Sequence, residues 1–391
     1  MNVSERYVYI KNGDVVAQLQ RIAASGDNKI TSGPDAFIYD FLSKIGDIPV
    51  FVASRSSRNA IYENNNITAC TYKANGNIVV KLFRIVLATT ELSIRLLFYK
   101  PSKIICGTTG GFLWASYFVS SFYSIPIIYS CHNRIINHHN GLLKRYAMKI
   151  DNWCVRRCNN VICHGPFLRD QLIAIGVSPS KIFEFDVGFY DLYQSSNISE
   201  SYRIPGIAEN HRIILYVGRI EKEKGVCDLL EACAGAFSMI SDVHIVYIGR
   251  GSALEKLQKE VERLKLSDKV HFLGYINHEK IVDVMRRSAI LVTPTRVEFP
   301  EGRCMSAMEG LVLGLPVVSP DFGPFPYLIQ HDYNGLLYEP NSITDLREKI
   351  IILIKDAKQY DRLKIGARIT GNKLMNPEMS FGEAICYAFS H

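Results

Sequence analysis

Between residues 213 and 319 the chain alternates with near-metronomic regularity. Short apolar runs rich in Ile, Val and Tyr (Ile213–Val217, Val243–Ile248, Lys269–Leu273, Ala289–Thr293, Pro316–Ser319) are separated by stretches with apolar residues at helical spacing (Val226–Phe237, Ala253–Leu264, around Lys280–Arg287). Continuously apolar strands alternating with helices make a parallel sheet covered on both faces. Such sheets bind ligands beyond the carboxyl ends of their strands. The loops that follow these strands are therefore where chemistry is expected.

The first half reads the same way, more loosely. Strands are expected at Tyr7–Ile10, Pro49–Ala53, Lys103–Cys106, Pro126–Ser130, Asn160–Cys163 and Ile182–Phe185, with helices between them. A chain of 391 residues exceeds one ordinary core. Two doubly wound α/β domains follow, 1–200 and 201–391, divided in the polar stretch Gln194–Asn210; the last helix is left free to pack back on the first domain.

Composition narrows the class. The chain is 48% hydrophobic and 21% charged, a globular profile. Its ten cysteines lack paired metal-ligand spacing and read as reduced cytoplasmic thiols. The N-terminus is polar, without the pattern of a signal peptide. Residues 1–200 hold 21 Lys and Arg against 14 Asp and Glu, whereas 201–391 hold 24 against 24, so the net +7 belongs to the first half. A basic domain beside a neutral one fits an anionic surface or substrate, or else a solvated basic face. Residues 79–98 are nearly long enough to span a bilayer, but Lys81, Arg84, Glu91 and Arg95 oppose insertion. They read as a core helix with a basic outer stripe, or as an amphipathic surface resting on a membrane. With Lys144, Lys149, Arg156 and Arg157 they offer a basic face toward anionic lipid.

Three strand-end loops carry the candidate chemistry. Gly218 allows close backbone approach, and Arg219 and Lys224 can converge on one anion; the alternative is a surface ion pair with Glu221 or Glu223. Gly249-Arg250-Gly251 is a second glycine turn, as well explained by a tight turn as by a ligand. The segment Phe272–Ile276 ends a third strand, where Ile276 can flank a flat base. Then Glu298-Phe299-Pro300-Glu301-Gly302-Arg303-Cys304-Met305 runs into a helix-prone stretch holding Glu309. Glu301 lies where a strand ends and a helix begins, and Glu309 about two turns into the helix. Unpaired N–H groups at a helix start attract phosphate, and carboxylates accept hydrogen bonds from hydroxyls. Together they suit a sugar joined to a nucleotide through a diphosphate. No Asp-x-Asp occurs, and two cations can neutralise a leaving diphosphate, so no metal is expected.

The order Gly-Arg, Lys-Gly, Gly-x-Gly, Phe-Leu-Gly, two glutamates eight apart, and Gly314-Leu315-Pro316-Val317-Val318 resembles family 4 of the retaining glycosyltransferases. The resemblance is strong over about 210–340 and thin before that. It implies a GT-B fold, two Rossmann-like domains facing across a cleft. It implies that Arg219 and Lys224 hold the donor diphosphate, that Glu301, with backbone N–H groups of Arg303 to Met305, holds the donor sugar, and that Glu309 holds the ribose. In the first domain His132 falls where the family often places a cleft histidine, and Ser32-Gly33-Pro34 resembles a shortened N-terminal glycine loop. The chain departs where the family usually carries an aromatic and a glycine, here Arg303 and Cys304, which leaves room for an acidic donor sugar. The family's later Gly-Gly…Glu element stands here as Asp321-Phe322-Gly323-Pro324. The implied partners are a nucleotide sugar, with no cofactor or nucleic acid, and a lipid-linked saccharide acceptor of surface-polysaccharide assembly at the inner face of the plasma membrane. Two alternatives remain: a same-fold nucleotide-sugar enzyme such as an epimerase or phosphorylase, though spacing identifies no pyridoxal-phosphate lysine, and a non-catalytic sugar-binding or scaffold protein.

Overall fold

The computed structural model describes residues 5–24, 26, 33–74, 76–135, 142–186, 189, 204–239, 242–375 and 377–391. Two compact units divide the chain: Met1–Val187 with Pro377–His391, and Gly188–Asn376. Of the expected boundary stretch, 194–203 lie outside the described residues.

In the first unit the elements run β1 (Tyr7–Asn12), α1 (Val15–Ala24), α2 (Gly33–Ile45), β2 (Val50–Ser56), β3 (Ala60–Asn64), β4 (Ile67–Lys73), α3 (Ile78–Tyr99), β5 (Lys103–Cys106), α4 (Gly111–Tyr123), β6 (Ile127–Cys131), α5 (Leu142–Arg157), β7 (Asn160–His164), α6 (Pro166–Ala174) and β8 (Ile182–Phe185). The strands form an eight-stranded sheet, β3-β4-β2-β1-β5-β6-β7-β8, parallel except for the β3–β4 hairpin. Strand alternation sorts the core into two layers. Val8, Ile10, Ile104 and Ile127 face α3, α4 and α5, while Tyr7, Tyr9, Ile105 and Ile128 face α1 and α2.

The second unit runs β9 (Arg212–Val217), α7 (Val226–Ala234), β10 (Val243–Ile248), α8 (Leu254–Arg263), β11 (Val270–Gly274), α9 (His278–Arg287), β12 (Ile290–Val292), α10 (Met305–Val312), β13 (Val317–Pro320), α11 (Phe325–Leu328), β14 (Gly335–Tyr338), α12 (Ile343–Lys355) and α13 (Ala357–Met375). Its six-stranded sheet, β11-β10-β9-β12-β13-β14, is parallel throughout. Two apolar layers again flank it, with Ile214, Tyr216 and Ile245 on one side and Ile213, Leu215 and Val246 on the other.

The chain then returns to the first unit. Helix α14 (Phe381–Ser390) opens with a capping box: the Ser380 hydroxyl accepts from the Glu383 N–H, and the Glu383 carboxylate accepts from the Ser380 N–H. Its Phe381 ring enters the core beside Tyr9 and Phe37, and the Asn160 side chain donates to Ala388 O at 2.6 Å.

Candidate functional site

Three loops at the carboxyl edge of the second sheet are laced together by their backbones. The Gly218 N–H donates to Ile248 O (3.0 Å), the Gly249 N–H to Gly274 O (2.8 Å) and the Ile220 N–H to Arg250 O (2.9 Å). A Cβ on Gly249 would lie 1.8 Å from Gly218 O, and one on Gly251 would lie 2.2 Å from Ile220 O. The Gly-x-Gly turn is thus required by loop against loop, without appeal to a ligand. Gly225 has the same cause: φ is +68° and a Cβ would meet Pro294 O at 1.7 Å, so the loop before α7 lies against the loop after β12.

That contact brings the cations to the acids. Lys224 Nζ donates to the Glu301 carboxylate, and both side chains are largely buried. Arg219 extends outward and pairs with Glu221 at 3.2 Å, the surface pair weighed from the sequence. Both cations nevertheless approach one ring: Lys224 Nζ is 4.1 Å and Arg219 Cζ 5.1 Å from the Phe299 centroid. Tyr216 Oη donates to Arg219 O at 2.6 Å and fixes the backbone there. Arg296, not singled out in the sequence, holds both Asp228 oxygens (3.0 and 2.8 Å) and lies 3.5 Å from Glu298, giving that acid a partner.

Helix α10 begins after Cys304, which caps it without a side-chain hydrogen bond. The Cys304 thiol is buried, and burial first, then the Glu301 charge, pushes its pKa up. It fills core space under Glu301, with Met305 packed partly against the same cluster. Arg303 is half-buried. Glu309 is the fifth residue of α10, so it sits little more than one turn in rather than the expected two, because the helix starts only at Met305. Its Oε1 lies 3.0 Å from Nε2 of His278, the first residue of α9. Ile276 belongs to the short loop between β11 and α9, and packs against the core beneath.

In the first unit His132 follows β6. Its Nε2 meets Ser130 Oγ at 2.8 Å, and the Phe37, Phe185 and Phe381 rings stand 5.1 to 5.5 Å away. Burial, with the charges of His164 and Lys11, pushes its pKa down to about 3, so the imidazole is neutral at pH 7. His164 at the end of β7 stacks on Phe185 and meets Asp186 Oδ1 at 2.9 Å. Lys11 near the end of β1 is buried, donates to Gln18 Oε1 at 2.6 Å, and is pushed down to about 8 by burial. The strand ends of this sheet therefore gather a basic, aromatic set. Gly33 opens α2, while Ser32 lies outside the described residues.

The family model for glycosyl transferases group 1 matches residues 197–370, and that for glycosyltransferase family 4 matches residues 46–183. This chain belongs to the family 4 glycosyltransferases. Glycogen synthase of Mycobacterium tuberculosis is 22% identical over 258 residues, 64% of this chain and 59% of the relative. The N-acetyl-alpha-D-glucosaminyl L-malate synthase of Bacillus anthracis is 24% identical over 222 residues, 54% of this chain and 57% of the relative. The chain thus spans about six-tenths of the length of these relatives. The crystal structure of Anabaena HepE in complex with UDP matches with a TM-score of 0.71 at 17% identity, covering 99% of both chains. The fold is of the GT-B type.

In this glycosyltransferase family member, the second unit gathers Gly218, Arg219, Lys224, Gly249, Ile276, Glu301, Arg303, Cys304, Met305 and Glu309 at one sheet edge. His132 and Gly33 lie in the other unit. Sequence reasoning missed His278 and Phe299. The signal was available for Phe299, one aromatic between Glu298 and Glu301, but not for His278, whose partner lies 31 residues on.

Proposed function

We propose that this family member is a retaining glycosyltransferase that moves a sugar from a nucleoside-diphosphate donor to a lipid-linked saccharide in surface-polysaccharide assembly. The observation that carries the donor half is Lys224 bound to Glu301, beside Arg219 and the start of α10. An arriving diphosphate would take Arg219 and Lys224 as its cations, with charge-assisted bonds in place of a metal. Released from Lys224, the Glu301 carboxylate would accept from donor-sugar hydroxyls, helped by the N–H groups of Arg303 to Met305. Glu309, steadied by His278, would accept from the ribose. Ile276 would flank the base, and Gly218 and Gly249 would let the backbone approach the donor.

The first unit would hold the acceptor, with neutral His132 among its strand ends. Retention would follow a front-face course: the leaving phosphate oxygen takes the acceptor hydroxyl's proton as the glycosidic bond forms, and no side chain acts as nucleophile. Support for a lipid-linked acceptor is the excess positive charge of the first half, which suits a cytoplasmic enzyme resting on an anionic membrane surface. No helix among the described residues is long and apolar enough to cross a membrane.

The deciding experiment incubates the protein with a panel of nucleotide sugars and a lipid-linked acceptor, with and without excess chelator. One donor should yield a glycosylated lipid with the donor's anomeric configuration, chelator or not. An altered free nucleotide sugar would make it an epimerase, and no turnover with any donor would leave a binding protein. Activity lost to chelator and restored by magnesium or manganese would overturn the metal-free chemistry.

A further inference from the structure

Helices α3, α4 and α5 cover one face of the first sheet. Leu92 and Leu96, Phe112 and Leu113, and Cys154 and Val155 enter one shared core. A helix with its inner stripe in a core ordinarily turns polar side chains outward. Helix α3 does not. Val80, Phe83, Leu87, Ile94 and Phe98 recur at intervals of three, four, seven and four, which sets them in one stripe on the side away from Leu92 and Leu96. Arg84, Arg95 and Glu91 keep to one edge of it. Of the two sequence readings, a basic outer stripe and an amphipathic surface, the outer stripe is therefore an apolar one with a basic margin.

The neighbouring helices extend the surface. Helix α4 adds Phe118 and Phe122, one turn apart, and Tyr123. Helix α5 adds Leu143, Tyr146 and Ile150, continued by Trp153, whose ring stands 5.2 Å from Tyr117 and 6.5 Å from Phe118. Phe98 and Phe122 are each 81% exposed and Leu143 87%, so this is apolar surface left fully in water.

Charge says what covers it. The three helices carry eight Lys and Arg against two acids. Glu91 is bound to Arg95 at 2.9 Å, and Asp151 turns inward to the Gly110 N–H and Trp114 Nε1. Cations sit beside the aromatic rim: Arg157 Cζ is 4.3 Å from the Trp153 centroid, and Lys149 Nζ 5.7 Å from that of Tyr146. A second copy of this face would oppose like charge with like. An anionic bilayer answers both features, since acyl chains take the apolar stripe and headgroups the cations.

We propose that the α3–α4–α5 ridge inserts in the plane of an anionic lipid bilayer, with Phe83, Phe98, Phe122 and Leu143 among the acyl chains and the flanking Lys and Arg among the headgroups. This deepens the membrane association proposed above, which drew on net charge alone, and it does not depend on the donor site.

Insertion and charge attraction differ in their response to salt. In flotation with phosphatidylglycerol vesicles, the parent protein is expected to retain a bound fraction in high salt. The triple variant Phe83→Ser/Phe98→Ser/Phe122→Ser is expected to lose that fraction by about tenfold or more, since each ring removes a large apolar contribution. Its melting temperature and nucleoside-diphosphate affinity should match the parent, because the three side chains are exposed and lie outside the donor loops. In a Trp114→Phe background, brominated acyl chains should quench Trp153, and the triple variant should abolish the quenching. The proposal is overturned if the parent does not float, if salt removes all binding, or if the triple variant floats and quenches like the parent. A parent dimer that the triple variant dissolves, with flotation unchanged, overturns it in favour of a second copy. Donor affinity and transfer to a soluble acceptor, read on the same samples, report separately on the glycosyltransferase assignment.

Discussion

Glu301 and Glu309 are both buried acids of one short segment, yet they have different neighbours, and the difference predicts different phenotypes. Glu301 faces Lys224 and stands ahead of α10; Glu309 faces His278 from within α10. Glu309→Ala should weaken binding of a free nucleoside diphosphate, because its partner would be the ribose. Loss of one such hydrogen bond to a carboxylate costs roughly 1.5–3 kcal/mol. His278→Ala should weaken binding in the same direction by releasing Glu309. Glu301→Ala should leave diphosphate affinity nearly intact and depress turnover, because its partner would be the sugar alone. Calorimetry and initial rates on the three variants check this, and equal loss of diphosphate affinity from both glutamates would show the roles misplaced. Both acids were legible in the sequence because their spacing marks a strand-end loop and a helix. His278 was not, because its role depends on where α9 sets its first turn against α10, and that is a tertiary fact.

At the scale of elements, strand-end loops are held by glycines that leave no room for a Cβ. Gly249→Ala would drive a methyl to within 1.8 Å of Gly218 O, whereas at Gly274 nothing lies within 4 Å and only the positive φ resists. The second substitution should cost about 1 kcal/mol for its left-handed backbone, and the first several times more. Urea unfolding midpoints of the two variants give the comparison; similar losses would contradict the tight loop contact. A second prediction concerns the opposite end of the same sheet. His211 Nδ1 meets His244 Nε2 at 2.9 Å, and His244 Nδ1 meets His271 Nε2 at 3.0 Å, a chain from the residue just before β9 across β10 to β11. Burial first, then His271, Lys269 and His211, pushes His244 from 6.5 to about 4, against Asp268. Between pH 6.5 and 4 the unfolded chain therefore binds a proton that the fold refuses. Stability is intact above 6.5 and falls as pH drops toward 4, by at most about 1.4 kcal/mol per pH unit for this one group. His132 adds to the loss in the same direction. Unfolding midpoints between pH 7.5 and 5 should decline in the parent and decline less in His244→Asn; an equal slope would remove the histidine chain as the cause. The long apolar strands of both sheets were readable from Ile and Val runs. The β3–β4 hairpin was not: its strands are half polar, and its turn rests on Asn65 at φ +39°, inside a run of three asparagines.

For the whole molecule, alternation revealed two largely parallel sheets because most of their strands are buried on both faces, and ordered motifs marked the strand-end loops of the second one that carry the proposed donor site. The basic, aromatic set of the first unit was fainter, since Lys11 in β1, His132 just after β6 and His164 at the end of β7 share no local pattern. The apolar ridge was only half legible: residues 79–98 left a core helix with a basic outer stripe and an amphipathic membrane surface both open, because they are apolar on both the inner and outer faces and only packing tells the two apart. Arg219 and Lys224 are proposed to form the seat of a nucleoside diphosphate. Lys224→Ala also strands the Glu301 carboxylate, which is costly when buried. The double variant Lys224→Ala/Glu301→Gln removes that penalty, and Arg219→Ala touches only an exposed side chain. The direct measurement is a calorimetric titration of a panel of nucleoside diphosphates into the parent, Arg219→Ala and the double variant, each checked for an intact thermal transition. One diphosphate should bind the parent, and each variant should lose roughly 1.5–3 kcal/mol of that affinity while remaining folded. Affinity unchanged in both variants would contradict it.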